Sequence, residues 1–332
     1  MNAEDKITKI TPPGLIASFS AGFNAVANHI QLILFPVALD LLLWFGPHLR
    51  VKQLIEPYLA SLGTRLSQTA TPDMSNMFSL GQEAYNTALA HFNLVSLLRT
   101  FPVGISSLFA SFGPLETPLG TAPIYEITSL ANTFGLWLIF SILGILLGSF
   151  YFNEVARQSM PEHTPFSLGA VNQSAVQILL MTILAIILLF LLALPVIVII
   201  SIVALFSAAL AQIAFFIISM FLIWLLLPLF FTPHGIFVYH QNTLKAMWTS
   251  LRLVRQFLPT TGMFILFSLL ISQGLNLVWL IPPENSWMFL IGIAGHAFIS
   301  TGLLAASFIY YRNGIHWMQE LLKQLNTSRA ES

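Results

Sequence analysis

The chain has 332 residues, of which 56% are hydrophobic and only 8% charged, with a formal net charge of zero. Soluble domains carry about 25% charged residues, so this surface is too poor in charge for water and suits a lipid bilayer. Neutrality leaves no basic footprint for nucleic acid, and the absence of cysteine excludes disulfides, thiolate metal sites, cysteine nucleophiles and cysteine lipidation.

The chain opens on polar residues, among them Glu4, Asp5, Lys6 and Lys9. The apolar stretch behind them is long and lacks a small-residue cleavage site, so it is expected to be a retained span and not a cleaved signal peptide. From the segment 1–29 up to the start of the first span, Leu15, Ile16, Phe19, Phe23, Val26 and Ile30 recur at helical spacing. That spacing predicts an amphipathic helix able to lie at the headgroups.

A helix needs about 20 apolar residues to cross the hydrocarbon core. By this measure a first span falls at 30–45 and a second at 129–152. Between them, the loop 46–128 reads as a helix over 73–98 and an apolar stretch over 103–112 fit to touch the membrane. Pro114, Pro118 and Pro123 then predict an extended return. This loop is expected to cap the bundle, or to act as a lid or receptor.

From 174 to 231 there is no charged residue. At a rise of about 1.5 Å per residue the stretch is far too long for one crossing, which predicts two antiparallel spans. Their turn is placed near 200–207, with Pro195 kinking the third span. The segment 232–261 follows, with Leu244, Met247, Trp248, Leu251, Val254 and Leu258 on one stripe opposite Lys245, Arg252 and Gln256. A fifth span is predicted at 262–281 and a sixth at 287–311, broken by Pro282 and Pro283. In the tail 312–332, Ile315, Met318, Leu321, Leu322 and Leu325 make a third oily stripe. The fold class is therefore an all-α polytopic membrane helix bundle. It is read as a single integral domain of about six spans plus interfacial amphipathic helices.

Orientation follows from the basic residues. One set of loops holds Lys6, Lys9, Arg157, Lys245, Arg252, Arg255, Arg312, Lys323 and Arg329. The other holds Arg50, Lys52, Arg65 and Arg99, all in the long loop, whose charges count little. Both termini are expected in the cytoplasm. Trp44, Trp279 and Trp287 then belong to the outer interface, and Tyr151, Tyr310 and Tyr311 to the inner one.

From residue 232 onward the pattern resembles a known group. Pro233 and Gly235 follow a span. A stretch at 246–254 (Ala246, Met247, Trp248, Thr249, Ser250, Leu251, Arg252, Leu253, Val254) comes next, and after two spans stand Tyr310, Tyr311 and Arg312. This is similar to the poorly characterised six-span bacterial membrane proteins related to the membrane domain of some glycerophosphodiester phosphodiesterases. The likeness covers the last third of the chain and the span pattern. The long loop after the first span and the pair Asn313 and Gly314 depart from it. The resemblance implies a bacterial cytoplasmic membrane and a membrane fold without an established activity. The phosphodiesterase chemistry belongs to a separate soluble domain, and no catalytic residue is carried over.

The chain lacks HExxH, GxSxG, GxxxxGK[ST] and GxGxxG. No cofactor or metal is expected. What remains is polar residues within the spans. Asp40 is the carboxylate well inside one, where a charge costs about 2.5–3.5 kcal/mol on insertion scales. His296 lies about 14 Å along its helix from Trp287. Gln273 and Asn276 in the fifth span and Gln212 in the fourth fall in the same outer half. One reading gathers Asp40, His296, Gln273, Asn276 and Gln212 around an outward-facing polar cavity that holds a lipid or small amphiphile. The other has them bonding helix to helix, at about 0.6 kcal/mol each. Gly292, Gly295 and Gly302 are expected to serve close helix approach.

The favoured function is a non-enzymatic membrane scaffold or accessory protein, with the bilayer and a membrane protein as partners. A transporter or binder of a lipid or small amphiphile is the alternative. An intramembrane hydrolase would need a nucleophile and base, or a metal with several ligands, beyond one aspartate and one histidine.

Overall fold

The computed structural model describes residues 13–67, 72–109, 113–161, 165–256 and 258–330. Glu4, Asp5, Lys6, Lys9 and Phe112, and the side chains of Arg65, Asp73, Leu325 and Arg329, lie outside the described residues. The helices are α1 (Leu15–Asn28), α2 (Leu34–Phe45), α3 (Lys52–Ser67), α4 (Pro72–His91), α5 (Leu130–Gln158), α6 (Leu168–Phe206) and α7 (Ala208–Leu226). After them come α8 (Thr232–Tyr239), α9 (Thr243–Gln256), α10 (Leu258–Trp279) and α11 (Phe289–Ala330). Among the described residues, strands are confined to short pairs. β1 (His48–Arg50) runs parallel to β4 (Ile124–Glu126), and β2 (Glu116–Thr117) is antiparallel to β3 (Gly120–Thr121).

Among the described residues, five helices are long and apolar enough to cross a membrane, or six if the bent pair Leu15–Asn28 and Ile30–Phe45 counts as one span. The fold is an all-α bundle of membrane-length helices. The first span expected at 30–45 is the segment Ile30–Phe45, of which Leu34–Phe45 is α-helix. Pro36 has no N–H to donate, so the chain enters α2 through a 3₁₀ turn at Ile30–Ile33 after a non-helical His29. The turn expected near 200–207 is Ser207. Its backbone is extended, and its side chain caps α7 by accepting from the Leu210 N–H at 3.4 Å. Pro195 stands inside α6 and does not end it.

The chain forms two compact units, and α5, α10 and α11 contribute residues to both. One unit comprises Met1–His29, Phe152–Leu269 and Gly302–Ser332. Its core gathers Phe231, Leu253, Phe264, Ala306, Tyr310 and Tyr311. The Phe264 ring stacks on Tyr310 at 4.4 Å and on Phe19 at 4.9 Å. Here α1 approaches α11 over glycines, since a Cβ on Gly22 would strike the Ala306 backbone and one on Gly302 the Phe23 ring. The line that α1 buries is Ser18, Gly22 and Val26; of the expected oily stripe Val26 is buried, Leu15 and Phe19 pack against the core, and Ile16 stays exposed. The tail is not a separate segment. Helix α11 runs unbroken to Ala330, and Ile315 and Met318 join the core.

Helix α9 is set by polar bonds. The Thr243 N–H donates to Gln177 Oε1 at 2.8 Å, and its hydroxyl donates to the Gln177 carbonyl at 2.9 Å. The Ser250 hydroxyl donates to the Pro228 carbonyl at 2.6 Å and accepts from the Phe231 N–H at 3.1 Å. These bonds turn Thr243, Ala246, Ser250, Leu253 and Val254 inward. The expected stripe is thereby split, with Val254 buried and Leu244 and Trp248 left outside.

The other unit comprises Ile30–Tyr151 and Leu270–Thr301. The helix expected over 73–98 ends at His91. Asn93 is extended and accepts from the Val95 N–H, starting a 3₁₀ turn at Leu94–Leu98. Beyond it the backbone stays irregular to residue 109, yet Leu94, Val95, Leu98, Val103, Ile105 and Leu108 are buried. This segment beds on α5. A Cβ on Gly144 would stand 2.6 Å from the Leu98 carbonyl oxygen, and one on Gly148 would stand 2.9 Å from Gly104 Cα. Gly292 and Gly295 likewise seat against Trp279, so all three glycines singled out on α11 serve close approach. The loop's return is stitched to the α10–α11 connection. Trp44 Nε1 donates to the carbonyls of Glu284 at 3.0 Å and Glu116 at 3.2 Å, and the Leu115 N–H donates to Glu284 Oε2 at 2.9 Å.

Candidate functional site

The polar centre of the second unit is built from α2, the irregular segment and the facing ends of α10 and α11. Asp40 is fully buried on α2. Its two carboxylate oxygens accept from the Leu108 N–H at 3.1 and 3.2 Å, and the Ser107 hydroxyl adds a hydrogen bond. Arg99 acts on Asp40 electrostatically without a direct ion pair, while Arg99 Nη1 donates to the Phe109 carbonyl at 3.4 Å. Burial lowers the pKa of this guanidinium from its ordinary value, and the Asp40 charge opposes the shift. The irregular backbone is thus held near its far end by one acid, at the Leu108 N–H, and one base, at the Phe109 carbonyl. Unpaired backbone groups are costly when buried and must be satisfied by the protein around them.

His296 lies on α11, with 5% of its surface exposed. Its Nδ1 bonds Asn276 Oδ1 on α10 at 2.8 Å, so Nδ1 carries the proton and Nε2 presents a lone pair. That Nε2 is buried with no hydrogen-bond partner. Arg99 acts electrostatically on His296 as it does on Asp40. One turn further on, Ser300 accepts from the Ser106 hydroxyl at 2.7 Å, and Tyr151 bonds Thr301 at 2.8 Å. The face of α11 is therefore a ladder of polar side chains answering the irregular segment.

Asp40, His296 and Asn276 belong to this centre, although Asp40 and His296 share no hydrogen bond. Gln273 is exposed on α10, and Gln212 is exposed on α7 in the other unit. Two hollows of the second unit bear on this reading. One of about 280 Å³ is lined by Leu43, His91, Asn93 and Phe109, and one of about 500 Å³ by Glu126, Asn132, Gly135 and Ile139. Neither is lined by Asp40 or His296. Among the described residues no three His, Asp or Glu side chains lie together as a metal site would require.

Sequence reasoning passed over Arg99, Ser106 and Ser107. The signal was a single arginine set beside an apolar stretch, which reads as an ordinary loop residue until the stretch is seen to be buried. Outside the spans, His48 is also buried, and its Nε2 donates to the Leu43 carbonyl at 3.2 Å. Burial lowers its pKa from the ordinary value of 6.5, aided by Arg50 and opposed by the Leu43 bond and Glu284.

Fold and site together define a multi-pass α-helical membrane protein with a buried polar fastening. Comparison with protein-family models, with curated proteins and with solved structures finds no match to this chain.

Proposed function

We propose that this chain is a non-enzymatic membrane scaffold or accessory protein, seated in a bacterial cytoplasmic membrane with both termini in the cytoplasm. The observation that carries the reading is the α6–α7 hairpin. In the most apolar windows of its two helices 0% and 6% of the residues are buried, so many of their large apolar side chains face outward. Phe216, Phe221 and Trp224 stand exposed along α7. Such a surface suits lipid and the span of a neighbouring membrane protein alike. The use of Asp40 as a fastening for backbone supports a structural role for the polar centre. The resemblance over the last third of the chain fits, since it implies no activity. Photo-crosslinkers placed at Phe216 and Phe221 should capture a discrete membrane protein in native membranes. Adducts with lipid alone, at both positions, would overturn the proposal.

A second reading, a binder or transporter of a lipid or small amphiphile, is favoured by one observation. His296 Nε2 is an unanswered acceptor within the electrostatic reach of Arg99. A ligand hydroxyl could donate to it. On this reading Asp40→Asn and His296→Phe each abolish binding of the amphiphile by the reconstituted protein; retention in both variants rejects it.

A further inference from the structure

We infer that the exposed ridge of α9 is a docking surface for anionic phospholipid headgroups. The argument begins with which face is free. The bonds of Thr243 and Ser250 fix the inward face, and the opposite side presents Leu244 (70% exposed), Trp248 (55% exposed), Lys245, Arg252 and Arg255. Leu244, Trp248 and Arg252 follow at four-residue intervals and so form one ridge. The Arg252 guanidinium lies 5.2 Å from the centre of the Trp248 ring, a cation–π pair at the surface.

Charge then selects the partner. The helix has three cations and no acid, and the chain has no Asp or Glu anywhere between Glu162 and Glu284. The ion pairs among the described residues are Arg157 with Glu154 and Lys323 with Glu320. None of the α9 cations has a carboxylate partner there. The surface therefore carries an unanswered positive charge beside an exposed indole and a leucine.

Position supplies the last step. The preceding span ends at Tyr239 and the next begins at Leu258, which leaves short links on either side of α9. A helix tied this closely to two crossings is held at the level of the headgroups. There a tryptophan sits with its ring at the headgroup level, and Lys and Arg are drawn to an anionic surface. The ridge combines both contacts, a hydrophobic anchor and a fork of donors for phosphate oxygens.

The test uses the full chain in nanodiscs of phosphatidylcholine with or without phosphatidylglycerol. Wild-type protein should retain phosphatidylglycerol through detergent extraction in preference to phosphatidylcholine, measured by native mass spectrometry. The triple variant Lys245→Gln, Arg252→Gln, Arg255→Gln should lose that preference roughly tenfold. Equal retention of the two lipids by wild type, or unchanged preference in the variant, overturns the inference. Should the triple variant fail to fold, Gln256→Cys, at an exposed position of α9, carries a nitroxide in this otherwise cysteine-free chain with Trp248 and all three cations intact. Its label should be shielded from a water-borne quencher when phosphatidylglycerol is present. Equal quenching in both bilayers, or shielding that appears only on adding an acidic protein, counts against lipid docking.

Discussion

Inside a span an unanswered carboxylate costs about 2.5–3.5 kcal/mol, and Asp40 is answered by the Leu108 N–H and the Ser107 hydroxyl. Asp40→Ala would leave that N–H buried without an acceptor, at about 1–3 kcal/mol. Asp40→Asn keeps an oxygen in place. Thermal unfolding in detergent should therefore show a clear loss for the alanine variant and a smaller one for the asparagine variant. Equal midpoints would remove the fastening role. His48 offers a pH test. Its folded pKa lies below the unfolded value of 6.5, so the unfolded chain binds the proton more readily. The stability it confers is complete above that value and is lost as pH falls from 6.5 through the folded pKa. His48→Gln should flatten the acid side of the stability curve; a curve identical to wild type would exclude His48 as its source.

At the scale of elements, the irregular segment and α5 meet through glycine. Gly148 lies against Gly104 and Val103 backbone, and Gly144 against the Leu98 carbonyl, where no flexible side chain can yield. Gly148→Ala should destabilise by about 1–3 kcal/mol. Gly274→Ala, with nothing near its added methyl, should be neutral or gain up to about 1 kcal/mol in helix propensity. Comparing the two melting midpoints checks both. The periodicity of the sequence made the spans and the break before α7 legible, because hydropathy and length act along the chain. The burial of 94–109 was not legible. Its residues are apolar enough for the membrane, but only the partners Gly144, Gly148 and Asp40, distant in sequence, convert it into core. The face of α9 was misjudged for a related reason, since two hydroxyl bonds outweigh the oiliest stripe. Asp40, His296 and Asn276 were legible as polar residues among apolar ones, whereas Gln212 and Gln273 satisfied the same rule and prove exposed.

For the molecule as a whole, the proposed orientation makes a two-sided prediction. Tyr85→Cys in α4 and His316→Cys in α11 give single, exposed thiols in a chain without cysteine. An impermeant maleimide added to intact cells should label the first and spare the second. Labelling of both from one side would reverse the assignment of the long loop. The Asp40–Leu108 bond has a further consequence for how the protein is made. Its partners are 68 positions apart in sequence, so a growing chain carries the acid to the bilayer well before its donors exist. Until then, the earliest hydrophobic helix is a poor guest in oil. The cost of holding that acid in oil is relieved only once the segment bearing Ser107 and Leu108 has been made.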